Sequence, residues 1–306
     1  MAPLKLRSAL GAGVAGFMTS KRNLLFLALI GSSVLMFWAP LTAVLHYCVL
    51  GGDQYDKYSY TVVVPIITLV LVFAQRRQIF WRVKYSPPWG IALLISGLVL
   101  DWAAGSPRLH LGWDPALSAK MLGLVVFWLG GFILCYGYRA YRTAIFPLLF
   151  LLLTVPIPDF ILGKPIAAVR YGSAEVCSFI FTLAGVPVLR DGFRFILSTV
   201  SIEVAEECSG IHSTIAIFII SLLAGHLFLR SVWKQAVLVI SSLPIVFVTN
   251  GLRIAGLTLL AEYVNPSFLR GPLHHQGGMG FFLLALIFLF VILRLLGGSP
   301  TVKDPR

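Results

Sequence analysis

GFFLLALIFLFVILRLL, residues 280–296, carries a single charge, Arg294, in seventeen positions. A run of that length and apolarity is close to what an α-helix needs to cross the hydrocarbon core of a bilayer. Comparable runs recur along the chain of 306 residues, which is 58% hydrophobic, 12% charged and has a mean hydropathy of +0.90. A soluble domain carries about twice that charged fraction. In lipid, only helices and closed barrels satisfy every backbone polar group, and the alternation expected of barrel strands is not the dominant pattern here. The fold class is therefore an all-α polytopic membrane protein. The net charge of +12 does not point to nucleic acid, because Lys and Arg in a membrane protein mark cytoplasmic loops.

About eight transmembrane helices are expected, near 23–49, 59–75, 88–105, 117–137, 143–162, 210–229, 233–251 and 279–297. The first is read as a retained helix, since no small-residue cleavage site follows its basic start. A further apolar stretch, about 165–185, contains Lys164, Arg170 and Glu175 at or near its ends and middle. It reads as one interfacial or re-entrant helix. Basic clusters set the orientation: Lys5, Arg7, Lys21 and Arg22; Arg76, Arg77, Arg82 and Lys84; Arg139 and Arg142; Arg230 and Lys234; Arg294 and Lys303. The positive-inside rule then puts both termini in the cytoplasm, provided that 165–185 does not cross. The chain reads as a single integral-membrane domain, 1–306, with less specific N-terminal helices over 1–138, a core over 139–297 and a tail over 298–306. On the outer face, VPVLRDGFRFILSTVSIEVAEECSG (186–210) is neither helix nor simple loop. Asp191-Gly192 is a hairpin-turn dipeptide between β-prone runs, and a second turn falls near Ser198–Val200, so a small β-hairpin cap is expected there.

The cap leads into EVAEECSGIHST, 203–214, where Glu206 and Glu207 run into Cys208, then Ser209-Gly210 and a helical apolar run. A thiol at a helix N-terminus feels the positive end of the dipole and free backbone N–H groups, which favour the thiolate. The two glutamates oppose this, and on an extended strand Glu206 alone shares the face of Cys208. Taken by itself, Cys208 is read more simply as an inert cysteine at the membrane edge. Cys48, Cys135 and Cys177 sit in apolar stretches as small hydrophobes. No metal-ligand spacing appears, and no cofactor is called for.

Two further stretches map to the same outer face. In VTNGLRIAG, 248–256, Arg253 is flanked by apolar sequence, where an arginine needs a partner or a function. It suits an anion or oxyanion, or equally an arginine reaching to the headgroups. In GPLHHQGGMGFF, 271–282, His274 and His275 precede the last span. Either can move protons near neutral pH, and either can be a solvated loop histidine. His212, one helical turn after Cys208, is a third candidate, while His46, His110 and His226 have no cluster around them. Thiol, guanidinium and imidazole, drawn from three separate segments, are together the parts of acyl transfer through a thioester.

Glu203-Val204-Ala205-Glu206-Glu207-Cys208-Ser209-Gly210, then Asn250-Gly251-Leu252-Arg253, then His274 with Gly278, in that order, resembles the exosortase/archaeosortase family. The resemblance is strongest over about 140–297. It implies a membrane-embedded cysteine protease and transpeptidase of the bacterial cytoplasmic (inner) membrane, with its active site extracytoplasmic. It implies, as partners, exported proteins whose C-terminal sorting tails combine a Pro-Glu-Pro-type motif, a transmembrane helix and a basic cluster. It also implies a surface acceptor, a polysaccharide or a lipid-linked molecule. The roles carried over are Cys208 as nucleophile, Arg253 as electrostatic stabiliser and His274 as acid and base, with His275, His212, Glu206, Glu207, Ser209, Gly210 and Asn250 as supporting residues. His274 is preferred to His275 because Gly278 falls four residues later; His212 stands where relatives often carry another residue. Three other classes stay in view. A membrane acyltransferase would use the same thiol in its first half-reaction. A transporter would show related halves and broken midplane helices, and no convincing internal repeat is present. An intramembrane serine protease would need Ser209 to outcompete the adjacent thiol.

Overall fold

The computed structural model describes residues 20–50, 60–81, 83–204, 211–269 and 278–297. It is polytopic and helical, with one small sheet. The chain divides into two compact units, up to Asp159 and from Phe160 onward.

The first unit contains α1 (Lys21–Met36), α2 (Trp38–Leu50), α3 (Tyr60–Ala74), α4 (Arg76–Ile79), α5 (Pro87–Ala104), α6 (Trp113–Thr143) and α7 (Ile145–Phe150). Pro87 and Pro88 start α5, where a missing N–H costs nothing. Its main contact is α5 on α6, which pack closely because small residues face each other. A side chain at Gly97 would begin 2.6 Å from the Gly123 carbonyl oxygen, and one at Gly123 would begin 2.7 Å from that of Gly97. Backbone approaches of this kind are how helices associate where lipid removes the hydrophobic drive between them. Two polar pairs, one buried and one partly buried, add direction: Tyr136 donates to Asn23 at 2.9 Å and the Trp128 indole to Ser33 at 2.8 Å. α6 kinks at Gly137, whose φ of +83° and proximity to the Lys84 carbonyl both require glycine.

The continuous helix expected over about 143–162 is broken. α7 is followed by a 3-10 turn, Leu151–Thr154, and then by non-helical chain around Pro156 and Pro158. The two prolines exclude helix there. This strip nonetheless runs back along α6: Val155 packs in the cluster of Phe37, Leu117, Met121 and Leu124, and the Asp159 N–H donates to the Asp114 carboxylate, 2.7 Å, at the start of α6.

The second unit contains most of α8 (Asp159–Leu183), then β1 (Leu189–Asp191), β2 (Arg194–Ile196), β3 (Ser201–Glu203), α9 (Ile211–Phe228), α10 (Val232–Tyr263) and α11 (Gly278–Leu295). The stretch expected to be interfacial is thus one 25-residue helix, α8, long and apolar enough to cross a membrane by length and composition. α5, α6, α10 and α11 also meet that test, and the bent pair α1–α2 meets it as a unit. α3 and α9 are shorter apolar helices. α10 corrects a second boundary: the span expected to end near 251 continues through Arg253 to Tyr263. At 1.5 Å per residue it is about 48 Å long, well beyond a hydrocarbon core of about 30 Å.

The cap is a three-stranded antiparallel sheet in the order β1-β2-β3, with Arg190 opposite Phe195 and Phe195 opposite Ile202. Gly192, at φ +58°, makes the first turn next to Asp191, and a Leu197 N–H to Val200 carbonyl bond closes the second. Phe195, Val200 and Val204 bury one face against Ala174, Cys177 and Phe181 of α8 and Ile254, Ala255 and Ala261 of α10. A second core joins Ile217 of α9, Leu238, Ile245 and Val246 of α10, and Ala285, Leu289 and Leu293 of α11.

Candidate active site

Arg253 lies just past the middle of α10, half-buried, in a cleft between three helices. α9 contributes Ser213 and Ile217, α10 Thr249 and Asn250, and α11 Gly278 and Phe281. The guanidinium rests against Gly278: its Nη1 is 3.5 Å from the point where a side chain there would start. Periodicity explains the α10 contribution. Positions 246, 249, 250 and 253 are spaced three and four apart and so share one helical face. The Thr249 hydroxyl is spent on the Ile245 carbonyl, 2.9 Å, which leaves the arginine as the cationic feature of that face.

Asn250 has a structural partner. Its amide donates to the buried Ser173 hydroxyl of α8 at 3.0 Å. One turn of helix thus carries both the arginine of the cleft and the bond that fixes α10 against α8. The fit is close around it: a side chain at Gly251 would begin 2.6 Å from Val176. Cys177 is buried on the same contact, its thiol donating to the Gly251 carbonyl at 3.3 Å, as befits a packing cysteine.

Cys208, with Glu206, Glu207, Ser209 and Gly210, and the pair His274 and His275, lie outside the described residues, as does the side chain of His212. The described residues that follow those two segments are informative. Ser213 comes five residues after Cys208 and Gly278 four after His274, and both line the cleft that holds Arg253.

The cap brings in groups that sequence reasoning did not assign. Arg170 of α8 pairs with Glu203 at 2.9 Å, donates through Nε to the Val204 carbonyl, and stacks on Phe193 with its guanidinium carbon 4.1 Å from the ring centre. Arg190 of β1 pairs with Glu175 of α8 at 2.7 Å, and that hydrogen bond holds its guanidinium still more firmly protonated. Glu262, in the last turn of α10, accepts the Thr199 N–H at 3.1 Å and the Val200 N–H at 3.2 Å. The available signal was charge inside apolar sequence: Arg170 and Glu175 in one run, Glu262 in another. Their partners are far away in the chain, and no local pattern names them.

Among the described residues, no group of three His, Cys, Asp or Glu side chains could hold a metal ion. The chemistry that these groups can supply is electrostatic: a positive charge in a partly desolvated cleft stabilises an anion far better than one in water.

No curated protein and no solved structure matches the chain. Residues 53–291 match the family model described as transmembrane exosortase, a stretch that runs through both units and includes Cys208, Arg253 and His274. The chain belongs to the transmembrane exosortase family.

Proposed function

We propose that the protein is a cysteine transpeptidase that cleaves the C-terminal sorting tail of exported proteins and passes the new C-terminus to a surface acceptor. The tail combines a Pro-Glu-Pro-type motif, a transmembrane helix and a basic cluster; the acceptor is a polysaccharide or a lipid-linked molecule. The observation that carries this reading is the cleft of Arg253, bordered by Ser213 and Gly278. A chain spans at most about 3.5 Å per residue, so the Cα of Cys208 is within about 18 Å of that of Ser213, and that of His274 within about 14 Å of that of Gly278. Family membership supports the same assignment.

In this mechanism the Cys208 thiolate attacks the scissile carbonyl. Arg253, with backbone N–H groups near Ser209-Gly210, stabilises the oxyanion. The C–N bond breaks, His274 gives its proton to the leaving amine, and a thioester remains on Cys208. His274 then takes a proton from the acceptor nucleophile, which attacks the thioester and releases the thiolate. Asn250 holds the helix that presents Arg253.

Eight crossings with both termini cytoplasmic and the reaction on the outer face fit the basic clusters. The strip 144–158 that runs back along α6 serves as the fifth crossing, and α8 stays on the outer side, where its Arg170 and Glu175 engage the cap. Family membership supports the bacterial inner membrane as the localisation. The test is a tailed reporter co-expressed with Cys208→Ala or Cys208→Ser. Both variants should insert normally and leave the reporter uncut; processing by either would end the nucleophile assignment.

A further inference from the structure

β3 has three residues, and it is the last described element of the cap before the segment that contains Cys208. Both of its ends are held by charged side chains from helices. Ahead of it, the Glu262 carboxylate of α10 accepts the backbone N–H groups of Thr199 and Val200. Behind it, Arg170 of α8 takes the Glu203 carboxylate, the Val204 carbonyl and the Phe193 ring at once. These contacts are not the main source of the cap's stability. Phe195, Val200 and Val204 are already buried against α8 and α10, and that burial is the larger stabilising effect. The Glu203 side chain is 59% exposed, and ion pairs at such sites contribute little to stability. What the contacts do supply is direction. A guanidinium with three engagements, and a carboxylate shared by two successive N–H groups, fix orientation as well as distance.

Glu262 also stands on the helix that carries Arg253, nine residues further on, or about 13.5 Å along the axis. A rigid rod therefore joins the arginine of the cleft to the entry of β3. We propose that Arg170 and Glu262 are positioning residues: by clamping both ends of β3 they set where the chain leading to Cys208 leaves the cap, relative to Arg253. This rests on Cys208 being the nucleophile. The contacts described for the two residues fall on Phe193 and on residues 199–204 of the cap. Each acts through the backbone of 199–204, and a site that must hold sulfur and guanidinium to within a fraction of an ångström needs such a second layer.

The experiment uses the full chain in membranes. Arg170→Met, Arg170→Lys, Glu262→Gln and Glu262→Ala are compared with the unaltered protein, each normalised to folded protein. The first readout is kcat and KM on a tailed reporter. The second is the pH profile of Cys208 alkylation by a small maleimide, followed by mass spectrometry, which needs no substrate. Misplacement on the scale of an ångström should lower kcat about 10- to 100-fold in Arg170→Met and Glu262→Ala, with KM unchanged. Arg170→Lys and Glu262→Gln should recover part of the loss, and the Cys208 alkylation profile should move in the first two variants. Wild-type kcat in folded Arg170→Met and Glu262→Ala would overturn the proposal. So would a loss that follows the amount of folded protein alone, with the alkylation profile unmoved. Continued processing by Cys208→Ala would instead remove the nucleophile assignment itself. An inactive Cys208→Ala beside fully active clamp variants would remove only the clamp.

Discussion

Each of the two units is packed internally by different means. In the first, helices meet mainly through glycine: α5 and α6 approach until the Gly97 and Gly123 backbones touch, with neutral hydrogen bonds such as Tyr136–Asn23 and charged groups on backbone atoms, Arg22 on the Val83 carbonyl and Asp114 on the Asp159 N–H. In the second, comparable glycine contacts at Gly172 and Gly251 are joined by charged groups in structural work, Arg170, Glu175, Arg190, Glu203 and Glu262, all of them around the cap. Charge is expensive in an apolar environment and is retained where something must be oriented or reacted. The second unit also carries Arg253 in its cleft, and the proposed chemistry falls there.

The largest effect should come from removing the cation. Arg253→Gln is expected to lower turnover about 10²- to 10³-fold, as loss of an oxyanion donor does, with Arg253→Lys intermediate. Steady-state processing of a tailed reporter measures it, and near-normal rates in Arg253→Gln would break the contrast. Next is a scaffold variant. In Gly97→Val a Cβ would begin 2.6 Å from the Gly123 carbonyl oxygen, so one helix must move, at a cost of about 3 kcal/mol. Thermal unfolding in detergent should show the loss, while the folded remainder keeps its kcat and KM; altered kinetics in that remainder would blur the division. Asn250→Ala tests the join between α10 and α8. It strands the buried Ser173 hydroxyl, at about 2 kcal/mol, and should lower both stability and turnover. The smallest effect belongs to the first turn of the cap. Gly192→Ala meets no neighbouring atom, so only the φ of +58° resists it, at about 1 kcal/mol. Gly192→Asn should be nearly neutral in the same unfolding measurement.

Several features could be read from the sequence because their causes are local. Apolar length marks the helices, Asp191-Gly192 marks the first turn of the cap, and a lone arginine in apolar sequence marks Arg253. Other features depend on distant partners. Nothing near 253 says whether a charge ends a span or rides along it, so the continuation of α10 to Tyr263 was missed. The break at 155–158 was available in Pro156 and Pro158, but the apolar composition of 143–162 outweighed them. The clamps join residues 33 and 62 or more positions apart, beyond any periodicity. The second turn near Ser198–Val200 was legible as well, and the strand after it pairs because Ile202 finds Phe195 across the sheet. For the site, sequence order supplied the candidates Cys208, Arg253 and His274, and the structure adds that the residues following two of them border the cleft of the third.

The most direct test of the account is the identity of the covalent intermediate. Full-length protein is incubated in membranes with a tailed reporter and no acceptor, quenched in acid, digested and examined by mass spectrometry. The account predicts that the reporter's new C-terminus is attached to Cys208 through a hydroxylamine-sensitive thioester. Cleaved reporter alongside an unmodified Cys208, or the same fragment attached to a different side chain, would contradict it.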